Sequence, residues 1–289
     1  LEEDSLDLQN IYTMILSKEG SIYSMRYLVI NGSPHKGNTW RLVEYAVSYV
    51  REHDKSAEFK EFQLMDLNLP FCTGCSNCFR KGMEFCPHYE KVGIIYNALE
   101  WADGLILCST TFNVRETALL KNLIDHFCYL MHRPHFFTKK ALFITSVGGV
   151  GAKGAVKSID GSLRAIGFNR CYSYKVRTVS WNAYNPNEKV QRQLSKVSEK
   201  FCKDVMEKKM HCPKSNILIP YNLFRGMCRY YAPGTEYEST DGVYWTDKER
   251  MTRAYDKAVP LHLYQRVLGG IFCFIGKTAG KKMIVTYKK

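Results

Sequence analysis

The chain has 289 residues, is 45% hydrophobic and carries a formal net charge of +13. That length allows one elaborated domain or two small ones, and the apolar content supplies a sizeable core. The positive charge suits phosphorylated cofactors as well as nucleic acid; no RNP-like, finger or helix-turn-helix pattern accompanies it, which sets specific nucleic-acid binding aside. No apolar run reaches the length of a transmembrane helix. Residues 1–24 hold early acids and no long apolar stretch, unlike a secretory signal. Eleven cysteines in a chain of this size and pattern point to a reducing, cytoplasmic setting, not a disulfide scaffold.

Residues 1–24 carry one short helical pattern, 6–16, and read as an N-terminal extension or arm ahead of Met25. Residues 26–30 (RYLVI) form a short apolar run rich in β-branched and aromatic types, the pattern of a buried strand. Residues 31–38 (NGSPHKGN) break it, and 39–51 then have helical periodicity, with Trp40, Val43, Ala46, Val47 and Val50 on one side. Strand, small-residue loop and helix together make an anion cradle. Gly32 and Gly37 let the backbone curl, and N–H groups at the helix start face a phosphate. Ser33, Asn38 and Thr39 add side-chain donors, and Lys36 adds charge. His35 is a pocket residue with no acid–base role assigned. An ordinary capped βα turn has the same local look. The spacing is neither that of the dinucleotide fingerprint nor that of the nucleoside-triphosphate loop.

Residues 59–67 suggest a strand, placed at a sheet edge by the interrupting Lys60 and Glu61. A cysteine loop follows. Cys72, Cys75 and Cys78 are spaced C-x2-C-x2-C, and Cys86 comes eight positions later, followed by Pro87. Soft thiolates at this spacing suit an iron–sulfur cluster or zinc, and equally an empty loop of thiols.

Residues 88–101 read as a helix and 104–109 (GLILCS) as a strand covered on both faces. Thr110, Thr111, Phe112 and Asn113 lie at its C-terminal end, and 116–130 as a helix. Residues 141–146 are the next buried strand, running into Val147, Gly148 and Gly149, where the backbone can approach a flat ligand closely or simply form a linker. A helix at 155–166, a strand at 170–176 and a charged amphipathic helix at 188–209 complete the alternation. Five strand–helix repeats predict a doubly wound parallel α/β sheet of five strands with helices on both faces. Ligands of such sheets sit beyond the strand C-termini at the topological switch, where loops 32–39, 110–114 and 146–150 all emerge.

Residues 25–209 resemble the NAD(P)H-dependent FMN reductase family of the flavodoxin-like fold. The likeness rests on Gly32-Ser33-Pro34, Asn38-Thr39, the four loop cysteines, Ala102-Asp103-Gly104 and the helix with Leu120-Lys121 and Ile124-Asp125. It implies an FMN-binding domain that takes hydride from NAD(P)H and passes electrons to a quinone, nitro compound, flavin or metal acceptor, commonly as a homodimer. Ser33, Asn38 and Thr39 would then hold the phosphate, aided by Lys36 and beside His35. Thr111, Phe112 and Asn113, with Val147, Gly148 and Gly149, would border the isoalloxazine. Iron–sulfur flavoproteins within the family hold a [4Fe-4S] cluster on a similar loop, here Cys72, Cys75, Cys78 and Cys86, and relay single electrons. A flavin-binding regulatory protein is the nonenzymatic alternative. The aromatic loop usual after the third strand is replaced here by Thr110-Thr111-Phe112.

Residues 210–289 lie outside the resemblance and form an aromatic, basic C-terminal extension. Tyr221, Phe224, Tyr230, Tyr231, Tyr237, Tyr244 and Trp245 predict helices and turns that pack over the core or a partner subunit. His211-Cys212 has no second matching pair and reads as a non-metal site. Residues 267–276 (VLGGIFCFIG) predict a buried terminal helix. With Lys277, Lys281, Lys282, Lys288 and Lys289 the alternative is contact with an anionic membrane surface.

Overall fold

The computed structural model describes residues 24–282. The helical pattern at 6–16, Lys288 and Lys289 lie outside them. Strands β1 (Arg26–Asn31), β2 (Glu58–Gln63), β3 (Gly104–Cys108), β4 (Lys140–Val147) and β5 (Arg170–Arg177) form one sheet of order β2-β1-β3-β4-β5. Every neighbouring pair is parallel. This is the flavodoxin-like order, with its switch point between β1 and β3.

Alternate residues of the central strands go to opposite faces. Leu28, Ile30, Leu105, Leu107, Ala141 and Phe143 pack into one core, against α3 (Tyr89–Trp101), α4 (Ala118–His126) and α6 (Ala152–Ala165). Tyr27, Val29, Ile106, Cys108, Leu142 and Ile144 pack into the other, against α1 (Asn38–His53) and α7 (Glu188–Met206). Burial on both faces explains why β1, β3 and β4 read as apolar runs. β2 is an edge strand, and the alternation of charge in EFKEFQ suits that position.

Two predicted helices differ in extent. The helix expected at 155–166 starts at Ala152, because Gly151, at φ +105°, already turns the chain into it. The pattern at 116–130 divides: α4 ends at His126, and a short α5 (Tyr129–His132) follows. The cysteine loop also holds a short helix, α2 (Asn77–Arg80), and a 3-10 turn, Met83–Phe85.

The C-terminal extension builds a third core. Leu218, Tyr221, Cys228, Tyr231, Trp245, Tyr255 and Val259 cluster with Phe137 of the sheet domain. Helices α8 (Ser215–Met227) and α11 (Leu263–Gly280) flank the short α9 (Thr240–Trp245) and α10 (Lys248–Thr252). α8 and α11 pack closely because glycines line their contact. A Cβ on Gly226 would meet the Cys273 carbonyl oxygen at 2.1 Å, and one on Gly276 the Leu223 carbonyl oxygen at 2.3 Å. The expectation of a buried terminal helix therefore holds on one face only. Leu263, Val267, Ile271 and Phe274 are exposed on the other. No helix among the described residues is long and apolar enough to cross a membrane.

Candidate functional site: a cleft at the switch point and a neighbouring thiol cluster

The loop after β1 is held rigidly by side chains of the adjoining strands. Asn31 is fully buried; its Oδ1 accepts from the Ser33 N–H at 2.9 Å, and its Nδ2 donates to Gln63 Oε1 at 2.6 Å. Gln63 Nε2 returns to the Ser33 carbonyl at 2.7 Å. Thr117 caps α4 and donates its hydroxyl to the Gly32 carbonyl. Gly32 is required by close approach, since a Cβ there would lie 2.8 Å from Leu120 Cβ and 3.0 Å from the Cys108 carbonyl oxygen.

A cleft of about 440 Å³ opens above this loop, within the range of small-molecule sites. Of the residues expected there, Ser33, His35, Asn38, Thr39, Thr111, Phe112 and Gly148 line it. α1 begins at the cleft with Gly37 at its N-cap and no side-chain cap, so the first N–H groups of the helix remain available to an anion. Ser33 Oγ accepts from the Thr110 N–H at 2.9 Å, which leaves its own proton for a ligand. The Thr39 and Ser146 hydroxyls are 2.6 Å apart.

Other expected residues do different work. Lys36 turns away from the cleft: its ammonium lies 2.5 Å from Glu61 of β2 and 4.4 Å from the Trp40 ring centroid. Asn38 lines the cleft but spends its side chain on the loop after β5. Its Nδ2 donates to the carbonyls of Ser180 at 2.7 Å and Trp181 at 3.0 Å, and its Oδ1 accepts from the Tyr184 N–H. Asn113, Val147 and Gly149 are not part of the lining. Val147 is buried at the end of β4. Asn113 and Val114 form the tip of a tight turn, with φ of +47° and +60°, closed by mutual 2.9 Å bonds between Phe112 and Arg115. A β-branched residue at φ +60° is strained. The turn is pinned by the start of α6, where a Cβ on Gly154 would lie 2.2 Å from the Val114 carbonyl oxygen.

The sequence reading missed one wall. Thr178, Ser180, Trp181 and Asn182 close the cleft from the far side. Trp181 is 97% exposed. A tryptophan in a polar loop after a strand was the available signal.

The cysteine loop forms a second locus, and none of its thiols lines the cleft. Asn122 of α4 fastens its start, accepting from the Cys72 N–H and donating to the carbonyls of Leu69 and Pro70. Cys78 shares a hydrogen bond with Cys128, a fifth thiol that sequence spacing did not single out. That bond and burial push Cys78 up, while the same bond holds Cys128 low. Burial raises Cys86, a hydrogen bond from the His88 backbone N–H offsets part of that, and the neighbouring Cys75, Cys72 and Cys128 add to the rise. Cys86 is also grouped with His88 and His126. Burial and the neighbouring His126 push His88 down. The His132 ring, Arg133 and Asp241 then tie the loop to the C-terminal extension: Arg133 donates to the Cys78 carbonyl at 2.6 Å and pairs with Asp241.

A parallel sheet of this order, with a donor-lined cleft at its switch point, places the chain in the flavodoxin-like fold. The NADPH-dependent FMN reductase family matches residues 25–179, just over half of the chain, and the chain belongs to that family. It is accordingly an FMN-binding oxidoreductase. It is similar to an iron-sulfur flavoprotein of Clostridioides difficile, 29% identical over 182 residues, covering 63% of this chain and 80% of that protein. An iron-sulfur flavoprotein of Methanocaldococcus jannaschii is 32% identical over 126 residues, 43% of this chain and 62% of that protein. Among solved structures, one described as a flavone reductase aligns with a TM-score of 0.50 at 16% identity, over 65% of this chain and 68% of its own; that likeness concerns the fold alone.

Proposed function

We propose that the cleft at the β1/β3 switch point binds FMN, and that the protein takes hydride from NAD(P)H and delivers electrons to a small quinone, nitro, flavin or metal acceptor. The observation that carries this reading is the uncapped N-terminus of α1 opening into the cleft beside Ser33 and Thr39. The residues fit the group: an anion-binding helix start at one end, and the strained Phe112–Arg115 turn with Gly148 at the other. Bound there, FMN would supply hydride acceptance and onward electron transfer.

The chain's own residues orient and enclose. Ser33 donates its hydroxyl proton to a phosphate oxygen, and the first N–H groups of α1 aim at the same place. Asn38 positions the 180–184 loop, and through it Trp181 as a rim ring for a flat ligand. Thr111, Phe112 and Gly148 border the isoalloxazine side. His35 is an exposed rim residue, and Lys36, paired with Glu61, tunes the field from outside. Asn113, Val147 and Gly149 act as backbone supports behind the lining. In this reading 25–209 is the FMN domain, 210–289 is an extension that braces it, and the thiol-rich chain works in a reducing cytoplasm.

The test is titration of the purified chain with FMN, followed by anaerobic mixing with NADH and NADPH. Tight binding and nicotinamide-dependent bleaching of the flavin are expected, and Trp181→Ala weakens binding without loss of fold. No flavin binding after reconstitution overturns the proposal.

A second reading is favoured by the convergence of thiols around Cys86 and by the iron-sulfur flavoproteins among the relatives. Cys72, Cys75, Cys78 and Cys86 would hold a [4Fe-4S] cluster, a donor set of the right softness. About four irons and four sulfides per chain after anaerobic purification are its signature. We also infer a homodimer, supported by the exposed apolar stripe of α11. Arg266 and Lys277 on that helix, with Lys281 just past its end, make an anionic membrane surface the competing occupant. Sedimentation equilibrium showing only monomer, with vesicle binding instead, rejects the dimer.

A further inference from the structure

Three ligand-type side chains outside the cleft converge. Cys86 Sγ and the ring nitrogens of His88 and His126 lie within 4.8 Å of one another. His126 ends α4 and is buried; His88 is the N-cap residue of α3. Their spacing in the chain, 86, 88 and 126, brings a local C-x-H pair to a helix end contributed by a different repeat.

The histidine orientations are informative. His126 Nδ1 lies 2.9 Å from the Asn122 carbonyl oxygen. A carbonyl only accepts, so Nδ1 carries the proton and Nε2 a lone pair. A backbone carbonyl on the second ring nitrogen is what fixes the tautomer of metal-ligating histidines. Nε2 then faces His88 Nδ1 at 2.9 Å. Two lone pairs at that distance repel, so the metal-free chain keeps a single bridging proton, donated by His88.

We propose that Cys86, His88 and His126 form a mononuclear site for a divalent borderline metal, zinc above all, with water completing a four-coordinate shell. One thiolate and two imidazoles select such an ion over magnesium or calcium. Bond lengths of about 2.0–2.3 Å place tetrahedral donors about 3.3–3.6 Å apart. The two nitrogens therefore open by a few tenths of an ångström, while the sulfur, within 4.8 Å of both, needs to close by no more than about 1.5 Å. On binding, Cys86 releases its proton to solvent. His88 gives up the bridging proton at Nδ1 and takes one from water at Nε2, so no net charge leaves that ring, and nothing is oxidised or reduced. Cys86 serves one centre at a time, which makes this site and the four-thiolate cluster mutually exclusive in one chain.

The test uses the full chain loaded with FMN and free of iron, titrated anaerobically with Co²⁺ as a spectroscopic probe and then with Zn²⁺ in competition. One cobalt per chain is expected, with the visible bands of a four-coordinate ion and a single thiolate charge-transfer band. His88→Ala, at a half-exposed position, weakens binding by roughly 100-fold, at least the effect of losing an outer-shell partner. His126→Ala does the same if folded, as judged by circular dichroism. Cys72→Ser with Cys75→Ser leaves binding unchanged. Prior assembly of an iron–sulfur cluster blocks cobalt. The proposal fails if the histidine variants bind cobalt as the parent does, or if the double serine variant loses it, which would assign a thiol-only site. Flavin content, read separately from its own absorbance, keeps this outcome distinct from the fate of the FMN reading.

Discussion

The Asp241→Asn substitution tests whether the C-terminal extension sets the cysteine loop. Asp241 sits in the first turn of α9, where its side chain is 5% exposed, and pairs with the Arg133 guanidinium, itself 8% exposed. Its second oxygen lies 2.8 Å from His132 Nδ1. Arg133 passes the constraint on, donating to the carbonyls of Cys78 at 2.6 Å and Phe79 at 3.3 Å. Asparagine keeps the shape and removes the charge. Breaking a buried pair from one side costs about 3–5 kcal/mol, because the remaining charge is left buried and uncompensated. The two carbonyl acceptors soften that cost toward its lower end. At a urea slope of about 3 kcal/mol per molar, the midpoint falls by about 1 M. Unfolding is followed by circular dichroism in urea, with alkylation of Cys78 as a local readout that accelerates. FMN affinity stays unchanged, since none of these residues lines the cleft. Removing both partners, Arg133→Met with Asp241→Leu, recovers much of the loss. A single-variant loss below about 1 kcal/mol, the size of an exposed pair, would refute the account.

The remaining predictions concern other elements. Lys140 is 1% exposed, and burial pushes its ammonium down to about 8. The unfolded chain keeps that proton up to about 10.4. Between pH 8 and 10 the unfolded state binds more protons, so stability rises with pH. Lys140→Met should remove that rise and stabilise the chain at pH 7 by up to about 3 kcal/mol, measured by urea unfolding across pH; an unaltered pH profile would contradict it. Ser33→Ala removes the acceptor of the half-buried Thr110 N–H, lowering stability by about 1 kcal/mol and weakening FMN binding together; unaltered flavin titration removes Ser33 from the site. Gly154→Ala forces the Val114 carbonyl away and so displaces the Phe112–Arg115 turn. FMN affinity should drop while the urea midpoint changes less, and an unchanged affinity would show that the turn does not border the ligand.

What the sequence disclosed, and what it hid, follows from the range of the interactions involved. The buried strands were legible because burial on both faces leaves an apolar run that no neighbour can disguise, as in GLILC of β3. The tight turn after β1 was legible for a similar local reason: Gly32 cannot carry a Cβ against Leu120, and the chain writes that constraint as glycine. Lys36 misled because its partner, Glu61, lies on the next strand, and local sequence registers a charge but not where it is neutralised. The wall around Trp181 was hidden because Asn38 holds it from 142 positions away.

The same logic explains why the cysteine loop was the least legible region. Spacing showed which thiols are near in sequence, but their surroundings come from distant segments: His126 from the end of α4, Cys128 from the turn between α4 and α5, Asn122 from the middle of α4, Arg133 and Asp241 from two further segments. A motif of four cysteines can therefore keep its spacing while its chemistry changes. What decides between cluster, mononuclear metal and free thiols is the set of second groups around Cys86. In this chain those groups include two imidazoles, one of them already oriented by a backbone carbonyl. Any metal held at the loop would thus be governed by α4 as much as by the cysteines, and His126 is the residue whose replacement separates the proposed outcomes.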